Sequence, residues 1–189
     1  MKRSGLIILG ILALLVIWVI SSRNGMATAD TDINGKWGKV QTQYNRKAKL
    51  YENVVNTIKG AARNEDTTLI KIVQMRSKIP NITSASSPEQ IVEADKQLNA
   101  IGRSALSINV EAYPTLKATE LFRDLQAQIE GTENRVTTAL GDWNDAITSY
   151  NNKIIRFPGN IVANIFGYSK KKNYEAPVGS GDATTDFSK

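Results

Sequence analysis

From Ile33 onward the apolar residues fall at Ile33, Trp37, Val40, Tyr44, Ala48, Tyr51, Val55, Ile58 and Ala62, at spacings of 4, 3, 4, 4, 3, 4, 3 and 4. That pattern lines one side of an α-helix. A strand sends successive side chains to opposite faces and would leave half of these residues in water. Leu69, Ile72 and Val73 extend the stripe or begin a short successor after Asn64-Glu65, so the spacing predicts a helix over 33–78 with room for one break. Pro80, Asn81 and the Ser/Thr-rich run to Ser87 then read as a loop.

Two further stripes follow. Ser87-Pro88-Glu89-Gln90 is a helix start: Ser87 caps, Pro88 suits the first helical position, and Gln90 reaches back as the capping-box partner. Ile91, Ala94, Leu98, Ile101, Ala105 and Ile108 form its apolar side until Tyr113-Pro114 interrupts it. The last long segment starts near Leu116–Thr119, with a stripe at Phe122, Leu125, Ile129, Val136, Leu140, Trp143, Ile147, Tyr150, Ile154 and Phe157, and Thr132 or Glu133 in the gap. Pro158-Gly159 stops it, and Ile161–Phe166 has room for one or two more turns. Long one-sided helices bury their stripes only against one another, which predicts an all-α, antiparallel up-and-down bundle.

Ahead of the body, Leu6–Ile20 is a block of fifteen apolar residues broken only by Gly10, within an uncharged stretch from 4 to 22. At ~1.5 Å per residue it is long enough to cross a hydrocarbon core of ~30 Å, and Trp18 sits where an indole favours the interface. A cleaved signal peptide is the competing reading, since Lys2-Arg3 precedes the block and Ala27-Thr28-Ala29 has the small-x-small form. The length of the block, and Arg23 and Asn24 after it, favour an uncleaved N-terminal transmembrane helix. Lys2, Arg3 and the α-amine, against Arg23 and Lys36, bias the N-terminus to the cytoplasm and the body outside it. The expected division is an anchor over 1–23, a linker over 24–32, a helical bundle over 33–168 and a disordered tail over 169–189.

The chain has no Cys and no His, which removes disulfides, thiolate nucleophiles, Cys-based zinc sites and the usual neutral-pH general base. Glu130 with Glu133 and Asp142 with Asp145 are carboxylate pairs three apart, a spacing common on solvated helices. A di-metal carboxylate bundle adds Glu-x-x-His pairs, which are missing. There is no phosphate-cradling Gly-rich loop and no Ser-centred elbow. The expectation is therefore no enzyme, no catalytic, cofactor-binding or metal residues, and no cofactor. The net charge of +6 concentrates in Lys36, Lys39, Arg46, Lys47, Lys49, Lys59 and Arg63, facing the lone acid Glu52, and in Lys170–Lys172. A solvated helix face explains the first cluster; attraction to anionic lipid headgroups is the sharper alternative. No nucleic-acid-binding motif accompanies the charge. Asn144, Asn151 and Asn152 lie on or beside the last stripe, either as exposed surface residues or as buried amides that set helix register or subunit pairing.

From Trp37 to Ala176 the chain resembles the LemA family. The second half carries most of the likeness: Tyr113-Pro114-Thr115-Leu116-Lys117-Ala118, Phe122, Leu125-Gln126, Glu130-Gly131-Thr132-Glu133-Asn134-Arg135, Trp143-Asn144, Tyr150-Asn151, Ile154, Arg156-Phe157-Pro158, Asn160 and Gly167-Tyr168. The first half is similar through Trp37, Gln43, Arg46-Lys47, Leu50, Asn53-Val54-Val55, Thr57, Lys59-Gly60 and Glu65. Glu52 stands where the family usually has proline, Asn64 where it often has histidine, and Tyr174 where phenylalanine is usual. The resemblance implies a bacterial protein with one N-terminal membrane helix, a helical-bundle domain and no cofactor; some relatives are linked with specialised membrane compartments. Together with the residue pattern it leads us to expect a scaffold on the inner membrane, partnered by the lipid bilayer and by further copies of itself. The alternative is an adaptor or accessory subunit docking another membrane protein complex.

Overall fold

The computed structural model describes residues 3–61, 66–83, 85–112 and 120–174. The expectations for Ala62, for the break at Asn64-Glu65, for Tyr113-Pro114 and for the tail beyond Tyr174 lie outside the described residues, as do the side chains of Leu69, Ala105, Ile108 and Phe122. Among the described residues there are five helices and no strand: α1 (Arg3–Ala61), α2 (Asp66–Ser77), α3 (Pro88–Ala112), α4 (Glu120–Ile155) and α5 (Gly159–Phe166). They divide into two compact units, one over 32–143 and one made of 1–31 with 144–189. Both α1 and α4 supply a segment to each unit.

The unit over 32–143 is an up-and-down bundle built on the stripe of α1. Ile33, Val40, Tyr44, Ala48, Tyr51, Val55 and Ile58 are all buried. Each fully buried aliphatic side chain stabilises the fold by ~1.5–3 kcal/mol through removal from water. The short α2 runs antiparallel to α1, so that Arg76 meets Glu52 at 3.4 Å while Ile72 and Met75 join Val54, Val55, Ile58 and Ile101 in one apolar cluster. The loop after α2 continues in the same direction and brings the Ser86 carbonyl to the Gln41 amide at 2.9 Å.

At the start of α3 the capping box forms as the sequence predicts. Gln90 N donates to Ser87 Oγ at 3.3 Å and Ser87 N donates to Gln90 Oε1 at 2.8 Å, so two of the four orphan N–H groups of the first turn are satisfied. Within this unit α4 returns antiparallel to α1: Lys36 meets Asp142, the Trp37 and Trp143 rings pack tilted with centroids 4.6 Å apart, and Leu125 and Ile129 pack on the Val54–Ile58 cluster. Thr132, not Glu133, fills the gap in the α4 stripe, being only 4% exposed.

The segment over 24–32, expected as a linker, is helical and belongs to α1; all but its last residue lie in the second unit, where Met26 and Ala29 are buried. No proline interrupts it, and a linker composition of small polar residues is also compatible with a helix already propagating from the apolar block. Ala146, Ile147, Tyr150 and Ile154 of α4 and Val162 and Ala163 of α5 are the other buried hydrophobic residues of this unit's core among the described residues. Phe157, assigned to the stripe, is instead 79% exposed. Its helix ends at Ile155, so the 3.6-residue phase no longer governs where that ring points. The short α5 closes at Gly167, whose φ of 74° lets Tyr168 N reach the Ala163 carbonyl at 2.9 Å.

Two glycines in helix interiors test this packing in opposite directions. A Cβ on Gly102 of α3 would lie 2.6 Å from the Tyr51 ring, whereas one on Gly141 of α4 would meet nothing within 4 Å. We expect Gly102→Ala to destabilise the full chain by ~1–3 kcal/mol despite alanine's better helix propensity, and Gly141→Ala to stabilise it by up to ~1 kcal/mol. Chemical denaturation in detergent, followed by circular dichroism, reads both.

Candidate functional site

The most concentrated polar chemistry of the 32–143 unit surrounds Lys47. The stripe of α1 passes through Tyr44, Ala48 and Tyr51, and Lys47 stands one position aside, on the border of that stripe. Its side chain is only 1% exposed. Nζ has three donors, and three acceptors meet them: Asp95 Oδ1 at 2.7 Å, Glu133 Oε1 at 2.7 Å and Asn99 Oδ1 at 2.9 Å. Asn99 also donates from Nδ2 to Asp95 Oδ2 at 3.2 Å, which orients that carboxylate. Asp95 and Asn99 are four apart on α3 and present one face, so a single turn supplies both.

Tyr51 lies one turn further along α1, 3.5 Å from Glu133 Oε1. Burial first, and then the Glu133 and Asp95 carboxylates, push its hydroxyl well above its ordinary range, so it stays protonated. The network ties α1, α3 and α4 together through a single ammonium. Its chemistry is that of a satisfied buried cation, with every donor spent on a partner.

The solvated-face reading of the basic cluster thus fails at Lys47, which is interior. The signal was its place beside Ala48 on the stripe, but sequence alone does not bring Asp95 and Glu133 to it. Lys36 pairs with Asp142 at 3.4 Å. Arg46 and Lys49 line an open groove of about 520 Å³ with Arg135, against the single carboxylate Asp124, which leaves that groove electropositive. The carboxylate pairs noted in sequence do not act together. Glu133 turns to Lys47, Glu130 accepts from the Gln126 amide at 3.5 Å, and Asp142 turns to Lys36. Among the described residues no three Asp or Glu gather into a metal-binding group.

The other unit carries a second constellation. Asn144 and Asn151 are seven apart on α4, about 10.5 Å along one face. Each grips the main-chain N–H and C=O of one residue in the chain after α5. Asn151 Nδ2 donates to the Lys171 carbonyl at 2.8 Å and its Oδ1 accepts from Lys171 N at 3.0 Å. Asn144 does the same for Tyr174, at 2.9 and 2.8 Å. Residues 171 and 174 of an extended chain lie ~10 Å apart, which matches the two-turn spacing of the asparagines. Tyr150 Oη donates to the Ser169 carbonyl at 3.1 Å, Asn173 Nδ2 donates to Thr148 Oγ1 at 3.1 Å, and Lys171 forms an ion pair with Asp30.

A model of the LemA family matches residues 36–187, most of the chain. The chain belongs to the LemA family. Protein LemA of Metamycoplasma hominis is 30% identical over 145 residues, covering 76% of this chain and 64% of that protein. Magnetosome protein MamQ 2 of Paramagnetospirillum magneticum is 33% identical over 82 residues, 43% of this chain and 29% of that protein. Magnetosome protein MamQ of Magnetospirillum gryphiswaldense is 28% identical over 82 residues. The chain therefore spans less than two thirds of the length of each of these relatives.

Several residues that carry the LemA resemblance now have physical roles. Lys47 is the buried cation, Glu133 one of its partners, Asn144 and Asn151 the clamp on the tail, and Gly167 the left-handed end of α5. The first residues of the tail expected to be disordered, 169–174, are laid along α4 by those hydrogen bonds. Asn144 and Asn151 are therefore neither plain surface residues nor helix-register amides, and Asn152 takes no part in the clamp.

Two expectations follow for this LemA-family chain. Asp95→Ala should cost ~2–4 kcal/mol, because it strips a partner from a cation that water cannot reach; Glu133→Ala, whose carboxylate is 42% exposed, should cost no more than ~1 kcal/mol. Denaturant midpoints of the two variants rank them. Asn151→Ala removes two hydrogen bonds from the tail, so trypsin should cut at Lys170–Lys172 about tenfold faster while the thermal midpoint stays put; equal cleavage rates in variant and parent would dissolve the clamp.

Proposed function

We propose that this chain is a non-catalytic helical scaffold, anchored in the bacterial inner membrane by α1 and self-associating there. The carrying observation is the apolar block. Its large side chains from Leu6 to Ile17 are 47–68% exposed, and the helix continues from them into the body without a break. Keeping such a surface in water is unfavourable by tens of kcal/mol, on the order of 2 per side chain. Among the described residues this is the one helix long and apolar enough to cross a bilayer. Relatives named as magnetosome proteins agree with such a role. Ile70 and Val73, both more than half exposed on α2, supply an apolar patch for a second copy.

Membranes washed with alkaline carbonate should retain the full-length protein, and its release into the wash would remove the anchor. Light scattering of the detergent-extracted chain should report a mass above one subunit; a monomer would remove self-association and leave the anchor standing. The three positive charges ahead of the block, counting the α-amine, against two after it support a cytoplasmic N-terminus, which protease protection of the body in sealed vesicles checks.

A second reading, an adaptor for another membrane protein, draws on the Asn144–Asn151 clamp. A pair of amides that holds main chain without reading side chains is suited to an extended segment of any sequence. Crosslinking in native membranes separates the two, with self-adducts expected for the scaffold and a distinct partner for the adaptor.

A further inference from the structure

We propose that α5 and the turn before it form a second membrane contact, an interfacial helix lying at the headgroup level beside the anchor. The inference rests on the anchor reading above and adds to it a surface, a depth and a lipid chemistry.

Outside the apolar block, seven large hydrophobic side chains are exposed among the described residues, and five of them fall within Ile155–Phe166. They are Ile155, Phe157, Ile161, Ile165 and Phe166, with Phe157 at 79% and Ile165 at 70% the most exposed. At 100° per residue, Val162 and Ala163 lie on the buried side of α5, while Ile161 and Ile165 share the side that nothing covers. Only Asn160 and Asn164 break the apolar circumference between Gly159 and Phe166. A helix apolar around more than half its girth and covered on only one side needs a second apolar medium.

Its place in the fold says which medium. The guanidinium of Arg23 lies over the Phe166 ring, 5.3 Å from its centroid. Lys153 Nζ, just before the turn, donates to the Gly25 carbonyl at 3.2 Å, and a Cβ on Gly159 would lie 3.5 Å from Met26 Cε. All three contacts fall on α1 between Arg23 and Met26. The apolar block ends at Ile20, so these residues sit ~4–9 Å further along the helix axis. With the block in the hydrocarbon core, α5 is held at the depth where amphipathic helices bury an apolar side.

The charge agrees. From Ala146 to Tyr174 there is no acidic residue, while Lys153, Arg156, Lys170, Lys171 and Lys172 flank the apolar stretch. Lys171 is engaged with Asp30; Lys153, Arg156, Lys170 and Lys172 are exposed, with long stems that let the apolar helix sink while their charges stay among anionic headgroups. This second basic cluster is the one that meets the headgroups beside α5.

The chain has no cysteine, so single nitroxide labels can be placed cleanly on Leu12→Cys, Ile161→Cys, Ile165→Cys and Lys172→Cys in the full chain. Each is reconstituted in phosphatidylcholine/phosphatidylglycerol vesicles, and its collision rates with oxygen and with a water-soluble nickel chelate are compared. Labels at 161 and 165 should show an oxygen-to-nickel ratio several-fold above that at 172 and below that at 12. A lipid-like value at 12 with water-like values at 161 and 165 would overturn the interfacial helix and leave the anchor intact. A water-like value at 12 would overturn the anchor reading, and this inference with it. Labels at 161 and 165 that are immobilised and shielded from both reagents mean a protein covers the face, which also overturns the proposal; dipolar broadening between them would identify that protein as a second copy.

Discussion

Burial of the α1 stripe is the constraint on which the 32–143 unit depends. Val40, Tyr44, Val55 and Ile58 are almost wholly removed from water, and they are so because α2, α3 and α4 each lay an apolar side against the same helix. Lys47 modifies that constraint: a full positive charge inside the bundle is tolerable only if its donors are satisfied there. Satisfying them requires Asp95 and Asn99 of α3 and Glu133 of α4 to arrive at one register, so the ammonium selects one alignment of three helices where an aliphatic side chain would accept several. Gly102 belongs to the same arrangement, since only a residue without a Cβ lets α3 come close enough to the Tyr51 ring.

The unit made of 1–31 with 144–189 is organised differently. Its core is small, and much of its order comes from main chain held by side-chain amides. Asn144 and Asn151 substitute for the partner strand that an extended segment ordinarily needs, satisfying N–H and C=O of the same residue at each grip. The large hydrophobic side chains that this unit leaves bare lie on α1 before Ser21 and over Ile155–Phe166, and α5 meets α1 at Arg23–Met26. On the reading proposed above, those side chains seat the unit in a bilayer instead of merely tethering it to one.

Much of this was legible before the fold was known, and the reasons are local. The 3–4 spacing of a stripe is a property of helix geometry alone, so Ile33–Ile58, Ile91–Ile101 and Val136–Ile154 could be assigned to buried sides without knowing their partners. The capping box at Ser87–Gln90 is an interaction within one turn of chain and occurs where the residues predict, and Pro158-Gly159 falls at the break between α4, which ends at Ile155, and α5, which begins at Gly159. The length of the apolar block and the lack of His and Cys are likewise decided residue by residue, and membership of the LemA family was visible in the order of the motifs.

Three features came only with tertiary structure. Lys47 looked like one more cation on a wet face, because burial of a charge depends on acids 48 and 86 positions away. Residues 169–174 have the composition of a disordered tail and are ordered only because two asparagines two turns apart match the rise of an extended chain. Phe157 fitted the periodicity yet is left uncovered by the protein, because the helix that would have carried its phase ends two residues earlier. Sequence by itself determined which helices form and which side of each is greasy, since those follow from neighbours along the chain. Which charges meet, where the tail lies and which apolar side chains remain bare were decided by contacts between residues far apart in sequence, and that information exists only once the helices are assembled.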